Sequence, residues 1–562
     1  MKHVKQFSTG LLLLVALMVI IASCKKAPVD DPTPQPATTA ITTISPATAP
    51  VGSTIVITGT NFSTDPASNT VTIGGVTATV VSASSTQLVV VVPTGAASGP
   101  VSVTAGGQTA QSQATFTVAI PSLKPVKEVQ GTIFANVTWS KDTVYQLRGM
   151  VYIPQNYTLT IGAGTVIKGS GPELDPQGTS MAGTLVIERR GAIRAQGTAA
   201  APIVFTSAKA AGQRAPGDWG GLVLVGKSPI NKAGTTANPN GVRGTVETYG
   251  EPADNSGTLQ YVRIEYAGAV QPTSPATRLA GLTLIGVGTG TTIDHIQVSY
   301  SGSDAFSWFG GTARAKNLFA YRTTDDDWSI DWGFVGNTQF GVSLRDPAVG
   351  SSTGSNGFEV ESYQAAETAD ITPVVAINGY TQTAPTFANI SNFAFNTTPT
   401  TGLYQAGMYL QRNTAINIYN SLFYGYPEGL HLAGSTVGST ANLTSGTLDL
   451  KGIVLANVLT PIVGAGAITT DLATAYFTTS TRSNQIVQSS DLASLLLRGE
   501  TFSLSAPNFL PQTGSPLLSG AVKTDKVANS FFTAVDYRGA FGTDNWTSGW
   551  TDTNPQAKDY DR

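Results

Sequence analysis

Cysteine is almost absent from this chain: Cys24 is the single one among 562 residues. A disulfide framework is therefore excluded. If Cys24 is used elsewhere, no thiolate remains for a metal site or a nucleophile. Histidine is nearly as scarce. His3 lies at the N-terminus, which leaves His295 and His431, too few for a His-rich zinc centre with its about three protein ligands. Charged residues make up only 12 %, with a net charge of −3 and no large basic block, so no nucleic-acid partner is expected. The apolar run that begins at Leu11 is shorter than the ~20 residues that span a bilayer core. What the chain has instead is glycine, 60 residues of it, with abundant Thr, Ser, Val and Ala. That profile suits a secreted all-β architecture of short strands and many turns, and the length favours more than one domain.

Residues 1–23 read as a secretory signal. Lys2, His3 and Lys5 precede the apolar run, which closes on Ile21-Ala22-Ser23-Cys24. This ending resembles the lipobox of bacterial lipoproteins, which implies cleavage before Cys24, lipidation of its thiol and attachment to a membrane. An ordinary signal peptide with an incidental cysteine, or an uncleaved anchor, are the alternatives. Residues 24–40 contain Pro28, Pro32, Pro34 and Pro36 and read as an extended tether. Asp30-Asp31 resembles the export signal of some Bacteroidetes surface lipoproteins.

Residues 41–119 carry short strands about 8–12 residues apart, the spacing of a β-sandwich. Thr54 to Gly59, Thr70 to Ile73 and Gln87 to Val92 are strands, and Gly74-Gly75 is a hairpin turn. The strings ISPATAPVGSTIVITGTNF, VTIGG and VVVVPTGAASGPVSV resemble the IPT/TIG immunoglobulin-like domain. That implies a spacer or a binding module.

Residues 120–562 repeat. Val262, Ile296, Leu318 and Phe340 share a column, and Ile264, Val298, Ala320 and Val342 share another. From Ile296 to Leu318 to Phe340 the step is 22 residues each time. Leu282, Phe306, Trp328 and Phe358 form a second register with Leu284, Trp308, Ile330 and Val360. Thr283, Ser307, Ser329 and Glu359 point the other way. Large apolar residues at this period predict a right-handed parallel β-helix solenoid. The strings GTLVIERRGAIRAQGTAAAPIVFTSA and GDWGGLVLVG resemble pectate-lyase-like β-helix proteins. GLTLIGVGTGTTIDHIQVSYSGSDAFSWFGG and DDDWSIDWG resemble a group of Bacteroidetes β-helix lipoproteins, which implies a fold and a location but no reaction. From about Leu495 the chain stops repeating and is expected to cap the solenoid.

The most polar stretch runs from Thr324 to Trp332. Asp304, Asp326 and Asn356 share a turn column. Asp327 and Asp331 are expected on the outer face, and Glu361 aligns with Asp331 one coil on. Carboxylates roughly 5–10 Å apart on neighbouring coils repel when ionised. Ca²⁺ held by some of Asp325, Asp327, Asp331 and Glu361 relieves this, whereas a ladder of Asp and Asn bonded to backbone at the bends explains the same residues without a metal. The resemblance to pectate lyases implies a Ca²⁺-dependent cut of acidic polysaccharide with an Arg or Lys base, for which Arg322 and Arg345 are available. The Asn-Thr-Asp and Gly-His-Gly motifs of polygalacturonase-like hydrolases are missing. His295 falls in a polar outward column with Tyr261, Asn317 and Gln339, and His431 has no acidic neighbour beside it. Phe319 and Tyr321 alternate with inward Leu318 and Ala320, so they are expected to face out and to suit sugar rings. The sequence thus predicts a lipid-anchored, surface-exposed outer-membrane protein that binds or adheres to glycan without catalysis. A Ca²⁺-dependent polysaccharide lyase and a purely structural surface component are the alternatives.

Overall fold

In the computed structural model of the protein, the described residues are 38–120, 122–231, 242–243, 249–272, 274–362, 382–434 and 442–562. The signal segment, Cys24 and most of the tether lie outside them. Among the described residues no helix is long and apolar enough to cross a membrane. The chain divides into two units after Ser122.

The first unit is an antiparallel sandwich built on strands Ala40–Ser45, Thr54–Thr60, Asn69–Ile73, Val76–Ala83, Gln87–Val91, Val101–Ala105 and Gln108–Gln111. Alternation puts Ile55, Ile57, Val71, Ile73, Leu88 and Val90 into one core. The hairpin between Ile73 and Val76 turns on Gly74 and Gly75, both with positive φ. That is the demand of a type I′ turn, which glycine meets without steric cost.

The second unit is a right-handed parallel β-helix whose strands form one continuous 26-stranded sheet. Each full coil has three sides. The first side stacks Leu282–Ile285, Phe306–Phe309, Trp328–Asp331, Phe358–Val360, Ala406–Leu410 and Glu428–Gly434. The other two sides are the halves of bent strands such as Thr292–Ser299, Arg314–Tyr321, Asn337–Leu344 and Thr386–Phe393. The bend is a single left-handed residue, and these residues stack on one another: Tyr261, His295, Asn317, Phe340, Asn389, Asn420 and Gly452. Asn and Gly are the residues that tolerate this region best. Inside, the first side contributes a stack of aromatics. Phe306 and Trp328 lie 5.3 Å apart and nearly parallel, and the buried Trp328 indole donates to Asn392 Oδ1 at 3.1 Å.

The inward columns of the first side match the expected ones: Leu282, Phe306, Trp328 and Phe358 pair in register. The bent strand Asn337–Leu344 does not. Leu318 pairs with Gly341, not Phe340, and Ala320 with Ser343, not Val342. The connection from Trp328 to Asn337 is one residue longer than that from Phe306 to Arg314, and a one-residue slip exchanges inside for outside. Phe340 becomes the corner residue, Val342 points outward, and Gly341 sits inside. A Cβ there would stand 2.8 Å from Ile390 Cδ1 and 3.2 Å from the Trp328 ring.

The cap also differs from expectation. The end of the solenoid is closed by the helix Thr470–Thr478, whose Ala473, Tyr476 and Phe477 are buried in the solenoid core. Residues after Leu495 instead run back along the flank, from the last coils to the first. Val522 meets Asn420, Tyr537 meets Asn389, Asp552 meets Gln297, and Asp561 reaches Lys168. Side-chain amides clip this strap by imitating a β-ladder pair. Gln297 donates to Asp552 O at 2.7 Å and accepts from Asp552 N at 2.9 Å. Gln339 does the same with Thr533 at 2.8 Å in both directions, and Asn420 with Val522 at 2.9 and 2.7 Å. Replacing Gln297 by Ala leaves the Asp552 N–H and C=O unpaired in a buried place. It is expected to cost about 1–3 kcal/mol, read as a lower urea midpoint of the full-length protein.

Candidate functional site

The strap decides which side of the solenoid faces solvent. Phe319 and Tyr321 do point out of their coil, but they are buried against Leu495, Phe509, Leu517 and Phe541 of the strap. The expectation that they meet glycan fails on that burial. His295 is likewise covered: its ring stacks on Tyr261 at 4.4 Å, and Trp546 and Trp550 approach edge-on.

The first side carries the partly exposed polar surface. Its outward column begins with buried Thr283 and Ser307, then opens into Ser329, Glu359, Tyr409 and His431. A second column beside it holds Asp331, Glu361 and Gln411, followed by Arg412 at the corner. Gln411 Nε2 donates to Glu361 at 2.6 Å and approaches Glu359 at 3.4 Å, and Arg412 reaches Glu361 at 2.8 Å. The Tyr409 and His431 rings meet edge to face at 4.8 Å. Burial pushes the Tyr409 hydroxyl up, and Glu359 and Glu361 add to it. A groove of about 430 Å³ adjoins this surface, lined by Ser352 to Gly354, Gln405, Pro427, Glu428 and Thr460 among others. A larger cleft of about 650 Å³ lies in the sandwich between residues 39–44 and 110–114. It has no titratable side chain and offers only hydrogen bonds.

His431 has an acidic partner after all: its Nδ1 lies 2.7 Å from Glu428 Oε2. Strand alternation would put residues three apart on opposite faces. Glu428 opens its strand just past the corner, where alternation does not yet fix its direction. A charge three residues upstream at a strand start is the signal that was there to be read.

The four expected calcium ligands are scattered. Asp325 lies with Asp304 and Asp326, their carboxylate oxygens within 4.8 Å of one another. Asp327 is elsewhere: its side chain is 1 % exposed and pairs with fully buried Arg345 at 3.1 Å. Arg345 also donates to the carbonyls of Thr323 and Asn356. Asp331 and Glu361 share the second outer column. Asp304, Asp326 and Asn356 form a hydrogen-bonded ladder. The Asp326 N–H donates to Asp304 at 3.3 Å, the Asn356 N–H to Asp326 at 2.6 Å, and the Ala406 N–H to Asn356 at 3.1 Å. Each side chain thus serves the backbone of the next coil. Burial, reinforced by Asp325, raises the Asp304 carboxyl to about 7. Burial and Glu359 raise Asp326 well above the ordinary carboxylate range. Of the arginines a lyase would use, Arg345 is committed to Asp327, and Arg322 is a left-handed corner residue bonded to Asp346.

A sandwich of the immunoglobulin type followed by a parallel β-helix defines a class of solenoid protein. Within it, residues 131–495 match the family described as a pectate-lyase like beta helix domain, and residues 40–118 match the IPT/TIG domain. The chain belongs to the pectate-lyase like β-helix family and carries an IPT/TIG domain ahead of the helix. No curated protein matches it. Among solved structures, an auxiliary nutrient binding protein from Bacteroides thetaiotaomicron is 26 % identical over 15 % of this chain and 21 % of its own, with a TM-score of 0.15. A putative phosphatase from the same organism is 32 % identical over 15 % and 18 %, and an auxiliary nutrient binding protein from Bacteroides ovatus is 24 % identical over 16 % and 24 %, both with a TM-score of 0.15. The chain spans about a fifth of the length of these proteins, and so short a likeness carries neither fold nor function.

Two outcomes follow from the buried carboxyls. Asp304 binds its proton more tightly folded, at about 7, than the ordinary value of 3.8. The folded state therefore holds the extra proton between those values, and stability falls as pH rises from about 4 to about 7, then levels. Asp304→Asn keeps the oxygen that accepts from Asp326 and is expected to flatten that slope in thermal melts. Asp327→Ala strands the Arg345 guanidinium and is expected to cost about 3–5 kcal/mol, measured by urea unfolding.

Proposed function

We propose that this protein is an envelope-anchored binding protein that holds an extended glycan on the open first side of its solenoid, without cleaving it. The observation that carries this reading is the set of planar polar side chains around the Tyr409–His431 pair. Asp331, Glu359, Glu361, Gln411 and Arg412 stand on or beside successive coils, spaced like strands at about 4.8 Å, beside the groove at Glu428. Such side chains bond pairs of hydroxyls, and an aromatic ring offers an apolar face to a sugar ring. Rigid strands fix the donors and acceptors in advance, which lowers the entropy cost of binding. The commitment of Arg322 and Arg345 to ion pairs favours binding over a lyase reaction. Calcium, in this reading, belongs with Asp304, Asp325 and Asp326, in place of the proton that the ladder otherwise holds. Cys24 supplies the anchor through a lipid on its thiol, at the outer membrane and facing outward.

The test is a glycan array with the full-length protein, followed by titration of the best chain. Tyr409→Ala is expected to weaken that chain at least about tenfold, or about 1.4 kcal/mol. Release of an unsaturated uronate, followed by ultraviolet absorbance, would overturn the reading in favour of a lyase. Cys24→Ser is expected to abolish palmitate labelling and to move the protein out of the membrane fraction.

A further inference from the structure

The geometry points to a charge filter on the open side: the face accepts an uncharged glycan chain and rejects uronic and sulfated ones, with Glu359 as the residue that sets the preference. This rests on the binding reading above and gives its ligand a chemical class. Four carboxylates border the face, namely Asp331, Glu359, Glu361 and Glu428. Against them stands Arg412, the one guanidinium among the described residues of these columns, and it is already engaged by Glu361 at 2.8 Å. His431 is engaged by Glu428 at 2.7 Å.

Glu359 differs from the others. The Gln411 amide stands 3.4 Å from its carboxylate but lies closer to Glu361, and the other partner of Glu359 is the carboxyl of Asp326 rather than a cation. It sits in the same column as Tyr409 and His431, one strand from the Tyr409 ring. Its charge also reaches the Tyr409 hydroxyl and disfavours ionisation there. A carboxylate or sulfate on a sugar stacked at Tyr409 would meet that same charge at close range, in a partly desolvated place where screening is weak. A neutral sugar meets the same groups favourably. Carboxylates accept from hydroxyls, Gln411 and Arg412 donate, and the tyrosine packs on the ring. Discrimination of this kind works through an element that repels the wrong ligand as well as contacts that suit the right one.

The experiment titrates the full-length protein at low salt with a neutral polysaccharide, with polygalacturonate and with a sulfated glycan, each with and without Ca²⁺. The wild type is expected to bind the neutral chain and to bind both acidic chains at least about a hundredfold more weakly. Glu359→Gln, isosteric and uncharged, is expected to narrow that gap about tenfold while changing neutral binding less. Glu361→Gln serves as a second variant if the first does not fold, checked by thermal melt, and is expected to narrow the gap in the same direction. Polygalacturonate binding as tightly as the neutral chain, with or without Ca²⁺, would overturn the filter while leaving glycan binding intact. An unchanged gap in the folded variants would do the same. Binding of no chain in any arm would overturn the binding reading itself, and the filter with it.

Discussion

A three-sided solenoid requires the chain to turn sharply twice or more in every coil without losing the register of its strands. Here the turns are single residues in the left-handed region, and they recur in columns. One column runs through Tyr261, His295, Asn317, Phe340, Asn389, Asn420 and Gly452. A second collects Gly286, Gly310, Trp332 and Arg412, and a third Tyr266, Tyr300, Arg322, Gly425 and Asn457. For a residue with a Cβ this conformation is unfavourable by roughly 1–2 kcal/mol, so it persists only because parallel pairing on both sides holds it. The corner thus depends on the ladder, and the flat sides of the ladder depend on the corner. Bulky residues at some corners, such as Tyr261 and Phe340, offset that cost by stacking: Tyr261 on His295 at 4.4 Å, and Phe340 against Tyr537 at 6.3 Å.

Flat sides make coils interchangeable neighbours, and a solenoid of that kind has mostly nearest-neighbour stability. The strap changes this. It ties coils that share no direct contact, through amide clips at Gln297, Gln339 and Asn420 and through a hydrophobic seam at Phe319, Phe393 and Phe509. It also takes two sides out of contention as binding surfaces. The first side lies where the strap does not run, and among the described residues its aromatic–carboxylate pattern stays partly exposed.

Much of this was legible in the sequence. The inward columns of the first side could be read because alternation coincides with steps of 24 and 22 residues over Leu282, Phe306 and Trp328. The sandwich and its Gly74-Gly75 turn were legible for the same local reasons. The register of the bent strand Asn337–Leu344 was not, because one inserted residue before Asn337 leaves a plausible apolar pattern in either frame. The burial of Phe319 and Tyr321 depends on a segment almost two hundred residues downstream with no period to align. The pairing of Asp327 with Arg345 was hidden because parity along a strand says nothing about the residue just before it, where Asp327 sits at the turn. The Asp304–Asp326–Asn356 column was visible, and so was its competing ladder explanation, which the hydrogen bonds now fill in residue by residue.

The strap ends where the solenoid begins. Asp561 O accepts from Lys124 N at 2.7 Å, and its carboxylate reaches Lys168 at 2.6 Å. The solenoid unit therefore enters and leaves at the same end, and the helix Thr470–Thr478 marks the opposite tip. Topologically the unit is a nearly closed ring. Joining its last residue to its first by a short linker, and opening the chain elsewhere, would leave every coil and clip in place. A solenoid whose Lys124 and Asp561 meet at one end keeps the tip at Thr470–Thr478 away from both, so coils added near that tip would lengthen it without disturbing this contact.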